Sequence, residues 1–199
     1  MKILIPITGV LFASAAYLRT AVSTEIFDAG FSRLEFEEIV LSFIILTVAV
    51  FIRNKPVLFG GGLIVFAVFD TVMNGGRLAV ILWSLAGGRN SSVSFPFFVL
   101  PLILRVLAFI ALFVTAFHFT ARGRGISVKA KKSLSATWVV LMTAFCALDT
   151  VSVVRNLEEF PVPVIIPIIA GCLGAVSAVL LGACIRIYTV RAGEELSPR

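Results

Sequence analysis

Long apolar runs, separated by short polar stretches, organise this chain. The runs stay apolar for about 20 residues, the length of a helix that crosses ~30 Å of hydrocarbon. They do not alternate over about ten residues, as the strands of a membrane barrel do. Only helices and closed barrels satisfy every backbone N–H and C=O within lipid. The pattern therefore predicts an all-α, polytopic integral membrane protein built as a bundle of six transmembrane helices. The spans fall at about 3–22, 34–52, 57–83, 95–120, 133–154 and 162–190. Together they form one domain, 1–193, followed by a polar tail, 194–199. The third span is expected to be interrupted at Asn74-Gly75-Gly76-Arg77, and Pro101 and Pro167 are expected to kink the fourth and sixth.

Composition agrees with that reading. Apolar residues make up 59% of the chain and charged residues 14%, against about 45–50% and about 25% in a soluble domain. Six spans within 199 residues leave no room for a sizeable soluble domain. At the N-terminus, Lys2, the apolar run Ile3–Phe12 and Ala13-Ser14-Ala15 have the form of a secretory signal with its cleavage site. The run continues through Tyr17 and Leu18, however, so a retained first helix is the favoured reading.

The net charge of +6 changes the picture only through its placement. Arg53 and Lys55, the group Arg122, Arg124, Lys129, Lys131 and Lys132, and the pair Arg186 and Arg191 all fall on one side of the predicted membrane. The loop Ser23–Glu38 and the turn at Glu158-Glu159 are acidic and fall on the other. The positive-inside rule then puts both termini in the cytoplasm of a cell (inner or plasma) membrane. No nucleic-acid-binding module is present, so the basic residues read as cytoplasmic flanks, and no nucleic-acid partner is expected.

Candidate chemistry is sparse. Cys146, Cys172 and Cys184 lie within apolar runs and form no CxxC, which points to packing rather than zinc or disulfides. His118 is the single histidine, so bis-histidine haem ligation within one chain is excluded. No glycine-flanked aspartyl motif, Gly-x-Ser-x-Gly, P-loop or dinucleotide fingerprint occurs. The chain is expected to be non-enzymatic, with no cofactor and no metal.

Two stretches resemble each other. Phe66-Ala67-Val68-Phe69-Asp70-Thr71-Val72 aligns with Phe145-Cys146-Ala147-Leu148-Asp149-Thr150-Val151. Each is followed by an arginine, Arg77 or Arg155, and then by a Phe-Pro opening the next span, Phe95-Pro96 or Phe160-Pro161. That order suggests an internal repeat of helical hairpins, a device of membrane transporters.

The most informative residues are the charges inside the spans. An ionisable side chain at mid-membrane costs about 2.5–3.5 kcal/mol, so it is usually turned inward and paired. At 1.5 Å per residue, Asp70 lies about 20 Å from the cytoplasmic face, and Arg19 and Asp149 about 24 Å. Arg105 lies about 15 Å down from the other side. Two acids and two bases at similar depth can pair as Asp70–Arg105 with Arg19–Asp149, or the reverse. Arg77 and Arg155 form a basic outer rim.

In the last span Ala170, Gly174, Ala178 and Gly182 recur every fourth residue, a ridge of small side chains that lets helices approach closely. The ridge predicts a tight contact within the fold or, alternatively, a homo-oligomer or partner-subunit interface. Two functions from different classes follow. The charged cluster binds or translocates a small solute or ion in the outer half of the bundle. Alternatively, the chain is an accessory or scaffold subunit of a larger membrane complex, with the charges as structural pairs. In both, the lipid bilayer is the first partner.

Overall fold

A computed structural model of the protein describes residues 4–27, 56–87, 95–120, 128–156 and 163–195. These residues form five α-helices: α1 (Leu4–Phe27), α2 (Pro56–Ala86), α3 (Phe95–Thr120), α4 (Val128–Asn156) and α5 (Ile165–Glu195). The fold of the described residues is all-α. Four helices carry segments long and apolar enough to cross a membrane: Gly60–Trp83, Val99–His118, Lys132–Arg155 and Ile165–Ile187. Helix α1 also carries an apolar stretch, Ile7–Arg19. The chain is therefore an integral, multi-pass membrane protein in contact with the bilayer. The expected span at 34–52 lies outside the described residues, as do Arg53, Lys55, Arg122, Arg124 and Glu158-Glu159.

Helix continuity and helix ends differ from the expected pattern at several places. Helix α2 runs unbroken through Asn74-Gly75-Gly76, where an interruption was expected. The Asn74 side chain donates to the Asp70 carbonyl at 3.0 Å, satisfying its own buried amide within the helix. Each glycine costs about 1 kcal/mol relative to alanine. Opening the backbone in hydrocarbon costs several kcal/mol for each orphaned group. Continuity wins on that comparison.

Helix α1 continues to Phe27, so the start of the expected acidic loop is helical. Helix α4 starts at Val128, which places Lys129, Lys131 and Lys132 on the helix rather than before it. Glu194 and Glu195 likewise end α5 instead of opening the tail. Pro167 falls in the first turn of α5, where a missing N–H removes no helical bond, so it does not interrupt the span. Pro101 does lie inside α3, buried, within a helix that continues past it.

The helices pack in the order α2–α3–α4–α5–α1. Phe12, Phe66 and Phe109 link the two ends of that order. Their rings meet edge to face, with centroids 5.3 Å apart for Phe12–Phe66, 5.1 Å for Phe66–Phe109 and 6.5 Å for Phe12–Phe109. Beyond this aromatic layer the charged side chains Arg19, Asp70 and Arg105 follow. Residue numbers rise from the first layer to the second in α1 and α2 and fall in α3. Contacts of Gly182, Gly174 and Gly171 with Val139, Cys146 and Thr150 make α5 antiparallel to α4. Helices α1, α2 and α4 thus run one way, and α3 and α5 the other.

The small-residue ridge of α5 is used within the chain. Ala170 and Ala178 are fully buried, and Gly174 and Gly182 are buried. A Cβ on Gly182 would sit 2.3 Å from Val139 Cγ2, and one on Gly174 would sit 2.8 Å from Cys146 Sγ and 3.8 Å from Ala15 Cβ. Helices α1 and α4 pack against the ridge at Gly174, and α4 packs against it at Gly182.

Candidate functional site

Two ion pairs lie at one level of the bundle, and their environments differ. Asp70 of α2 meets Arg105 of α3 in a two-point contact: Arg105 Nε donates to Oδ2 at 3.1 Å, and a terminal guanidinium nitrogen donates to Oδ1. Fork-to-fork pairing of this kind is among the stronger polar interactions. The side chains are 2% exposed for Asp70 and 13% for Arg105. This pair is closed.

Arg19 of α1 meets Asp149 of α4. Its Nε lies 3.0 Å from Asp149 Oδ2 but off the N–H direction, so the contact is ionic rather than a directed hydrogen bond. A terminal nitrogen of Arg19 donates to Cys146 Sγ at 3.2 Å, a weak acceptor. Arg19 is 18% exposed and Asp149 27%. This pair is looser and more open.

Phe145 joins the two. The Arg19 guanidinium carbon stands 4.7 Å from its ring centroid, and that of Arg105 stands 5.5 Å away. Both are within cation–π range. Helical spacing explains the arrangement. Phe145 and Cys146 precede Asp149 by four and three residues, so all three share one face of α4. Arg19 crosses from α1 to that face over Gly174, where a Cβ would come 3.2 Å from a guanidinium nitrogen. Thr150 turns its hydroxyl back to the Cys146 carbonyl at 2.7 Å, beneath Gly171. Gly171 and Gly174 therefore permit the approach of α1 and α5 to the charged face of α4.

The other expected residues fall elsewhere. Arg77, two turns beyond Asp70 on α2, is partly buried, and Arg155 is exposed near the end of α4. A shallow groove of about 190 Å³ runs between α2 and α3, lined by Val68, Thr71, Val72, Ile110 and Phe113. None of the four paired charges lines it. Reading the sequence for charges did not find Phe145, Cys146 or Gly174. Their signal was available for the first two as i−4 and i−3 neighbours of Asp149. Gly174 was named for the small-residue ridge, but its place beneath Arg19 required knowing that α1 lies against α5.

The arrangement can do two things chemically. The closed pair cross-links α2 and α3 at small net charge. The open pair places a partly accessible carboxylate and a guanidinium with spare donors side by side, a combination suited to a small charged species. No protein-family model matches the chain, and comparison with curated proteins and with solved structures gives no match either.

Proposed function

We propose that this chain is a non-catalytic, six-span membrane protein that binds or translocates a small solute or ion at the Arg19–Asp149 pair. In this reading Asp70–Arg105 is a structural cross-link. The observation that carries the proposal is the difference between two pairs at one level: Asp70 is 2% exposed and doubly bonded, whereas Asp149 is 27% exposed and singly contacted. An intramembrane carboxylate with residual access is the expected form of an ion or solute ligand.

Helix direction supports six crossings. Because α1 and α2 are parallel, the end of α1 and the start of α2 lie at opposite ends of the bundle, and a return crossing between them reconciles the two. Among the described residues, the basic positions at the start of α4 and at the end of α5 share one end. That supports a cytoplasmic location for this end and for both termini. The two Asp-Thr-Val runs lie on parallel helices at one level, which supports the hairpin duplication.

The test uses proteoliposomes of the full chain and a panel of inorganic ions and small charged metabolites. Asp149→Asn should abolish flux or binding of one species while leaving folded yield near wild type. Asp70→Asn should lower folded yield. No solute-dependent signal anywhere in the panel would refute the proposal. The scaffold reading is favoured by one specific observation: Asp70 and Asp149 are each already countered by an arginine of the same chain. Under that reading Asp149→Asn alters only co-purification with partner subunits.

A further inference from the structure

At the opposite end from the ion pairs, α4 and α5 are in near backbone contact. Ser135 Oγ donates to the Gly182 carbonyl at 3.3 Å. The Val139 side chain occupies the space a Gly182 Cβ would need. Lys132 lies one turn before Ser135, and Arg186 lies one turn after Gly182. Because the helices are antiparallel, both steps lead toward the same end. Two cations thus flank one narrow seam. Neither is held by a carboxylate among the described residues.

Their depth follows from the sequence. Lys132 is the last lysine before the apolar stretch of α4, and Arg186 is the first charge after the apolar stretch of α5. Both therefore sit at the edge of the hydrocarbon, where lipid phosphates lie. The first turn of α4 carries no acidic residue, and Lys132 follows directly after it. The positive end of a helix dipole disfavours a cation there, which favours an anion beside it. Below the cations, exposed apolar tracks run along both helices: Ala136 and Val140 on α4, Ala183 and Val179 on α5. An acyl chain can lie on such tracks, whereas a free phosphate has no use for them.

We propose that Lys132 and Arg186 together bind the phosphate of an anionic phospholipid across the α4–α5 seam. Basic pockets between helices at the cytoplasmic side suit such headgroups, and each basic residue near the surface contributes about 1 kcal/mol, or about five-fold in affinity. The site is separate from the ion pairs and does not depend on their function.

The experiment titrates phosphatidylglycerol, phosphatidylcholine or inorganic phosphate into the detergent-solubilised full chain and follows its melting temperature. Phosphatidylglycerol should raise the melting temperature saturably, and the other two should not. Lys132→Gln and Arg186→Gln should each raise the half-saturating lipid concentration about five-fold, and the double variant should lose the response. Lys132→Arg, which keeps the charge, should retain it. An equal effect of phosphatidylcholine would overturn the proposal, and so would a shift produced by inorganic phosphate. Equal weakening by Arg155→Gln at the far end would reduce the effect to net charge and likewise overturn it. If the double variant does not fold, the single variants and the two control ligands still decide the question.

Discussion

Removing one carboxylate from each ion pair should have unequal consequences for folding. Asp70→Asn keeps the shape of the side chain but leaves Arg105 facing an amide in a site where the carboxylate was 2% exposed. Breaking a buried pair by removing one partner costs about 3–5 kcal/mol, because the remaining charge stays uncompensated. Asp149→Asn acts on a pair that is 18% and 27% exposed and lacks a directed hydrogen bond. Arg19 there is less enclosed and keeps its contacts with Phe145 and Cys146. The cost there should fall to about 1 kcal/mol, nearer the value for accessible pairs. For a chain of this size each kcal/mol shifts the melting temperature by about 2–4 °C. Asp70→Asn should therefore lower it by about 6–20 °C, and Asp149→Asn by about 2–4 °C. Thermal melting in one lipid nanodisc composition reads both. Equal losses, or a larger loss for Asp149→Asn, would refute the distinction between a closed and an open pair.

Other expectations follow from the same geometry. Phe145→Leu should destabilise by about 1–3 kcal/mol, since it removes cation–π contacts to two guanidiniums besides apolar packing; in double-mutant cycles it should couple to both Arg19→Lys and Arg105→Lys. Gly182→Ala should cost about 1–3 kcal/mol through overpacking against Val139, measured by melting temperature. Gly75→Ala, where a Cβ meets nothing within 4 Å, should be neutral or stabilise by up to about 1 kcal/mol in the same assay. Gly174→Ala should displace the Arg19 side chain from Cys146 and Asp149, and solute binding should weaken while Asp70→Asn remains as damaging as in wild type.

The legible part of this molecule is what hydrocarbon dictates. Apolar run length predicts six spans, and four of them are long apolar helices among the described residues, because a backbone in lipid has no partners outside its own segment. Counting 1.5 Å per residue placed Arg19, Asp70, Arg105 and Asp149 at similar depth, and in the structure they lie at one level. Which acid meets which base was open, because that depends on the order of helices around the bundle. Helix α1 lies against α5 and reaches α4, a neighbour relation that no run of residues encodes. The continuity of α2 through Asn74-Gly75-Gly76 was misread for a related reason. Glycine propensity is a local term of about 1 kcal/mol, and the environment that outweighs it is tertiary. The role of Phe145 was hidden among 18 phenylalanines, since only the folded bundle singles out the one ring that two arginines share.

A reciprocal exchange of charges tests most directly whether two pairs at one level do different work. Asp70→Arg with Arg105→Asp restores opposite charges in the closed pair, and Arg19→Asp with Asp149→Arg does so in the open pair. Folded yield and solute flux are measured for each double exchange and for its single reversals. The account predicts that the first exchange recovers yield lost by its single reversals and retains flux. The second should recover yield but lose flux, because a solute meets the charges in the wrong places. Full flux after the second exchange would contradict it.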